Sequence, residues 1–277
     1  MGQGAAAARG GRRARSRVKL LALAVAGRGL VDPAEPVFRA DDEALLRGAA
    51  AFETLRVYGG KPFLLEQHLE RLRASCDALG LPVPEGAAEL AQVAAAAAPP
   101  DHVLRLYRTA RALVAAAAEL PPGLEEERAR GISLRSVEAP VPDLLAGVKV
   151  TSYALSFAAR QAAEEAGADD ALLVAGGSVR ETATANIWWR VGGELYTPAA
   201  GPGVLPGVTR ALALELTPAR TGRHALAELA HADEAFTTSS IREVMPVVEL
   251  DGAAIGDGRP GPAAARLQAL LRLRSSR

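Results

Sequence analysis

Lys149 stands in GVKVTSYALS, four residues before Tyr153; Glu181 opens ETATAN thirty-two residues further on, and GVLPGVTR follows at 203–210. A lysine amine can join an aldehyde carbon as a Schiff base and afterwards carry a proton. A carboxylate facing a ring nitrogen keeps that nitrogen protonated, so that the ring draws electrons. A glycine-containing turn that opens a helix offers unpaired backbone N–H groups, which suit a phosphate. In this order the three pieces meet the needs of a phosphorylated aldehyde carried on a pyridine ring.

The elements that must position them follow from periodicity and punctuation. A strand over about 19–26 leads to a Gly- and Pro-containing loop and a short helix in RADDEALLRG. A strand over about 52–58, a Gly59-Gly60 hairpin turn and a second strand come next. Leu65, Leu69, Leu72, Cys76 and Leu79 lie on one face of a helix stopped by Gly80. Residues 86–98 are Ala-rich and helical, ended by Pro99-Pro100, and two strands follow in HVLRLYRTA and ARALVAAAAEL. ELPPGLEEERARG at 119–131 has the composition of a linker. The second half alternates strands and helices, with ETATAN as a loop, a strand pair at NIWWRV and ELYTP, a helix at about 208–217, a hydroxyl-rich turn in TTSSI and a C-terminal helix. Trp188 and Trp189 are neighbours in a strand and must point to opposite faces. The expected organisation is a disordered basic tail at 1–17, an N-terminal α+β domain at 18–120 and a C-terminal α/β domain at 121–277 carrying the lysine. The cleft between the two is the expected site.

Composition narrows the function classes. The chain has 277 residues, 49% of them hydrophobic, and a formal net charge of zero. That balance argues against a dedicated nucleic-acid binder. A single cysteine, Cys76, allows no intrachain disulfide and suits a reducing compartment, so a cytoplasmic location is expected. His68, His102, His224 and His231 show no metal-ligand spacing, and no run has the length of a membrane span. RRARSRVK followed by LLALAVAG imitates a secretory signal, but the apolar run is short and reads as a buried first strand.

Five segments in order resemble the class IV pyridoxal-phosphate enzymes, the group that holds branched-chain and D-amino-acid aminotransferases and aminodeoxychorismate lyase. They are RGAAAFETLRVYGGKPFLLEQHLERL, GVKVTSYALS, GADDALLV with RETATANIWW, GVLPGVTR, and DEAFTTSSIREVMPVVELDG; the likeness runs from about residue 28 to residue 274. It implies a two-domain fold-type IV architecture, mixed α+β and α/β, with pyridoxal 5'-phosphate as cofactor. By that resemblance Lys149 is the Schiff-base lysine and Glu181 faces the pyridine nitrogen. Arg71 clamps the phosphate, helped by Val208 and Thr209 at a helix start and by Ser239 and Ser240. Tyr153 lies beside the cofactor, and Asn186 holds a loop or strand next to it. Arg105 and Glu53 stand on the substrate side, Glu53 as a holding residue, and His68 is structural. The resemblance also implies a homodimer acting on a small molecule.

Family likeness does not fix the reaction, because lyase and transaminase share the lysine and the cofactor. The Lys149–Tyr153 spacing looks like the lyases and the D-amino-acid enzymes, and the run NIWWR followed by LYTP looks more like aminodeoxychorismate lyase. That enzyme converts 4-amino-4-deoxychorismate to 4-aminobenzoate and pyruvate for folate synthesis. The alternative is an aminotransferase for D-amino, branched-chain or other small amino acids. VLRLYRTAR departs from the family's usual Thr-Arg-Gly ending, so Arg108 and Arg111 carry no assignment.

Overall fold

A computed structural model describes residues 18–140 and 143–276; the tail expected over 1–17 lies outside them. The first half contains strands β1 (Leu20–Val25), β2 (Gly29–Val31), β3 (Ala51–Tyr58), β4 (Lys61–Pro62), β5 (His102–Arg108) and β6 (Leu113–Ala118), with helices α1 (Glu43–Arg47), α2 (Leu65–Leu79) and α3 (Ala87–Ala96). The strands form an antiparallel sheet in the order β2-β1-β6-β5-β3-β4. Gly59 and Gly60 join β3 to β4 with φ of 54° and 83°. Two successive positive φ angles match the twist of the paired strands and need residues without a Cβ.

Along β3 burial alternates strictly. Ala51, Leu55 and Val57 pack with Leu69, Leu72 and Cys76 of α2, and α3 completes this core. Phe52, Thr54, Arg56 and Tyr58 therefore turn to the opposite face, as the two-residue period requires. Glu53 lies in the apolar row.

The second half begins with α4 (Leu124–Arg130) inside the stretch expected to be a linker. Its good helix formers sit between Gly123 and Gly131, and Arg128 anchors it to the carbonyls of Arg242 and Val244. The remaining elements are β7 (Ile132–Glu138), α5 (Ala154–Glu165), β8 (Asp170–Ala175), β9 (Ser178–Thr182), β10 (Asn186–Val191), β11 (Glu194–Pro198), α6 (Val208–Leu216), β12 (Arg220–Gly222), α7 (Leu226–Ala230), β13 (Glu234–Ser239), β14 (Glu243–Leu250), β15 (Ala253–Ala254) and α8 (Pro262–Ser275). Among the described residues they build a nine-stranded sheet in the order β12-β11-β10-β13-β14-β7-β8-β9, with β15 beside β14. β7 runs parallel to both β8 and β14. Trp188 packs with Phe236 under α6 and α8, whereas Trp189 packs with Ile187, Met245 and Leu229 on the other side. Both faces of this sheet are covered, so both tryptophans are fully buried.

Glu243 joins the two halves. It begins β14 in the left-handed region, φ 57°. Its buried carboxylate accepts from Tyr58 Oη (2.7 Å), Arg128 (3.0 Å), Arg272 (3.0 Å) and Gln268 (2.7 Å), with Arg56 at 3.4 Å. Burying a carboxylate is costly unless cations and donors surround it, and three guanidiniums do so here.

Candidate active site

Lys149 lies in the crossover between β7 and α5, where the chain passes along the edge of the first sheet. Its carbonyl accepts from Phe52 N (3.0 Å), Thr151 N donates to Ala50 O (2.9 Å), and Val150 bridges Ala51. The Lys149 N–H donates to Ser75 Oγ on α2 (3.0 Å). With its backbone held on two sides, the side chain enters the cleft. Nζ lies 3.4 Å from Tyr153 Oη and 4.5 Å from the centre of the Phe52 ring. Burial first, then the charge of Arg71, bring the amine down to about 8, against the pull of Glu53 and Glu181. A lysine in this range is neutral often enough near pH 8 to accept a proton. Burial and the nearby Glu181 carboxyl push the Tyr153 phenol up to about 12, so it stays a donor.

Glu181 is on β9, at the mouth of the loop rather than within it. Its Oε2 accepts from Asn186 Nδ2 (2.9 Å) and Leu205 N (3.0 Å). The same Asn186 amide donates to Leu205 O (3.0 Å), which couples the β10 start to the GVLPGVTR loop. A Cβ on Gly207 would overlap Asn186 Oδ1, so the loop needs glycine there to approach so closely. Burial pushes the Glu181 carboxyl up to about 7, despite the Leu205 N–H and the charge of Lys149. The native state therefore holds the proton more tightly than the unfolded chain, and stability falls as pH rises from about 4.5 to about 7. Glu181→Gln removes that penalty. At pH 8 it should stabilise the cofactor-free protein by on the order of 2–3 kcal/mol, and the gain should shrink at pH 5; thermal melts at both pH values check this.

The third part of the cleft gathers donors. Val208 and Thr209 open α6, whose first-turn N–H groups have no intrahelical acceptor. Ser239 and Ser240 come from the β13–β14 turn, and all four residues line the cleft with Arg71. Arg71 Nε and Nη2 donate to the two oxygens of Glu53 (both 2.7 Å), and Nη1 donates to Pro206 O (2.9 Å). Glu53 is fully buried behind Arg71, with its remaining contact to His68. Its place in the apolar row of β3 puts it against α2 rather than on the substrate side where sequence reasoning set it. Burial opposes its charge, but Arg71 and then His68 hold the carboxyl at about 2.

The remaining wall is the outward face of β3 and β5. Phe52 stacks on Tyr107, Thr54 is paired with Arg105, and Arg105 lines the cleft. Arg108 turns away to Pro82 O and Arg111 to Asp41. The cleft has a volume of about 390 Å³ and also touches Arg160 and Arg242, which sequence reasoning did not single out. Ser75 was missed as well; its signal is the i, i+3, i+7 spacing of His68, Arg71 and Ser75 on one stripe of α2. A larger groove, about 760 Å³, lies between the α6 C-terminus and α8, but it contains neither Lys149 nor Glu181. Chemistry, not size, picks out the smaller one. Among the described residues no group of three or more His, Cys, Asp or Glu is placed to hold a metal, and no helix is long and apolar enough to cross a membrane.

The family model for amino-transferase class IV matches residues 50–250. A D-alanine aminotransferase of Bacillus licheniformis is 27% identical over 266 residues, covering 87% of this chain and 93% of the relative. An aminodeoxychorismate lyase of Bacillus subtilis is 26% identical over 258 residues, covering 83% and 87%. Among solved structures, a hypothetical aminotransferase from Mycobacterium tuberculosis, in its form bound to alpha-ketoglutarate and PMP, superimposes with a TM-score of 0.83 at 25% identity, covering 92% of this chain and 100% of the other.

Proposed function

The chain belongs to the amino-transferase class IV family of pyridoxal-phosphate-dependent aminotransferases and lyases, and from that premise we propose that it is an aminodeoxychorismate lyase. It would convert 4-amino-4-deoxychorismate to 4-aminobenzoate and pyruvate. The observation that carries this reading is the wall around Arg105. Among the described residues no carboxylate pairs with that guanidinium, and the cleft it lines also holds the Phe52 and Tyr153 rings, edge to face with centroids 5.4 Å apart. An aromatic wall next to a free guanidinium suits a flat ring acid better than a small aliphatic amino acid.

The residues present fit the cofactor. The cleft volume is within the range of small-molecule sites. It offers an amine at Lys149, a carboxyl at Glu181, and at the far end Arg71, the α6 N-terminus and two serines. When bound, pyridoxal 5'-phosphate supplies an aldehyde carbon and a ring that accepts electrons. Arg71, Val208, Thr209, Ser239 and Ser240 would receive the phosphate, Glu181 the ring nitrogen, and Lys149 Nζ the aldehyde carbon. Asn186 keeps Glu181 aimed, and Tyr153 Oη stands beside Nζ and accepts from it. Lys149 Nζ takes the proton from the amine-bearing ring carbon of the substrate and later returns one to the departing enolpyruvyl group. Arg105 would hold a substrate carboxylate. Arg105→Gln should raise KM about 10- to 100-fold, the loss expected for one hydrogen bond to a charged group, while kcat changes little; initial rates over a substrate series check this.

The test is purified protein with cofactor and aminodeoxychorismate, without any amino acceptor. Many turnovers of 4-aminobenzoate and pyruvate support the lyase. The second reading, an aminotransferase, is favoured by the D-alanine aminotransferase likeness. It predicts no 4-aminobenzoate, and conversion of the cofactor to its amine form by D-alanine. A homodimer, a cytoplasmic location and the domain division at 120/121 belong to the same proposal. Exposed Leu45 and Leu46 on α1 offer an apolar face to a second copy, and sedimentation tests that.

A further inference from the structure

His68 is buried on α2, outside the mechanism above, and both of its ring nitrogens are engaged. Nδ1 lies 2.7 Å from Glu53 Oε2 and Nε2 lies 3.4 Å from Ser240 Oγ. An ionised carboxylate only accepts hydrogen bonds. Glu53 is kept ionised by Arg71, so the proton of the His68–Glu53 contact belongs to Nδ1. Burial keeps the imidazole neutral, with its pKa below the ordinary value. Nε2 must then be an acceptor, and Ser240 Oγ donates to it.

We propose that His68 is a positioning residue for the phosphate end of the cleft: through Glu53 it fixes the plane and depth of Arg71, and through Ser240 it holds the turn opposite. Glu53 presents two oxygens to three donors, two on Arg71 and one on His68. With His68 in place, the carboxylate cannot rotate without breaking a buried contact. The guanidinium fork is set by the carboxylate it grips, so Arg71 inherits that fixed orientation. Its remaining edge points to Pro206 O, one residue before the turn that opens α6. The Ser240 hydroxyl proton is spent on His68, so the β13–β14 turn meets an anion through its backbone and Ser239 rather than through that hydroxyl. All of these contacts lie at the Arg71 end, and none touches Glu181 or Lys149 Nζ.

This inference rests on the phosphate lying at Arg71, and its consequence is selective. Loss of the His68–Glu53 contact should weaken recognition of the phosphate but not of the pyridine ring. The probes are pyridoxal 5'-phosphate and pyridoxal, titrated into cofactor-depleted full-length protein. Asparagine places an amide nitrogen where Nδ1 stands, and glutamine places one near Nε2. His68→Gln should therefore raise the Kd of pyridoxal 5'-phosphate about tenfold or more, the scale seen when a carboxylate–histidine support is removed at metal sites. Pyridoxal affinity should hold, and His68→Asn should recover most of the loss. Equal loss for both ligands, no loss, or a His68→Asn loss as large as that of His68→Gln would overturn the inference. For a variant that melts near assay temperature, the same comparison is read from the thermal upshift each ligand gives. Arg71→Ala separates the two levels, read as the Kd of pyridoxal divided by that of pyridoxal 5'-phosphate. If it leaves this ratio unchanged, the phosphate assignment is wrong; if it lowers the ratio while His68→Gln does not, only the role of His68 is.

Discussion

Exchange of Lys149 for alanine should lower kcat of the proposed lyase reaction by at least about 10³-fold, in the upper part of the range for losing a positioned acid–base group. Two separate roles are lost with one amine. On the proposed function Nζ would be the nucleophile that receives the cofactor's aldehyde, and its pKa of about 8 also suits a proton carrier. The variant should still bind the cofactor, because Arg71, α6 and the serines are untouched. Absorption spectroscopy should then find the aldehyde free rather than joined to protein. Small primary amines added to the solution should restore part of the proton-transfer rate. A variant with full activity would remove Lys149 from the chemistry.

Glu181→Gln should cut kcat about 10²- to 10³-fold, the usual cost of one preorganised electrostatic partner, with cofactor Kd altered only a few-fold. An amide cannot keep a ring nitrogen protonated, whereas a carboxyl held near 7 can share a proton with it. The same substitution is expected to stabilise the cofactor-free protein at pH 8, so activity and stability should move in opposite directions. A variant that lost both together would be reporting misfolding instead. Steady-state rates and melts on one preparation decide between these.

The candidate site was legible in sequence where a residue stands against its usual preference. Lys149 among Val148, Val150 and Tyr153, and Glu181 ahead of ETATAN, stand out because charged groups in apolar company need a partner. The structure brings both into one cleft with Arg71, Arg105, Tyr153, Asn186, Val208, Thr209, Ser239 and Ser240. Glu53 was harder. Alternation along AFETLRVY puts it in the row of Ala51, Leu55 and Val57, yet an acid there makes sense only once Arg71, eighteen residues away on another element, is known to meet it. The stretch at 119–131 misled for a different reason. Pro121 and Gly123 mark a break, but LEEERAR is built of good helix formers, and its stability depends on Arg128 reaching carbonyls more than a hundred residues on. Long-range contacts of this kind leave no local pattern. Arg108 and Arg111 stayed unassigned because strand periodicity gives a face and not a partner; Pro82 and Asp41 supply it.

The hub at Glu243 has a consequence for how the molecule comes apart. Separating the halves would strip Arg56 and Tyr58 from a buried carboxylate and leave Arg128, Arg272 and Gln268 to satisfy it. Uncovering one partner of such a cluster costs about 3–5 kcal/mol, so a state with one half melted and the other intact is disfavoured. Calorimetry should record a single unfolding transition. On the timescale of turnover, ligands would then have to enter and leave through side-chain movement in the cleft lining, and not through a swing of one half away from the other.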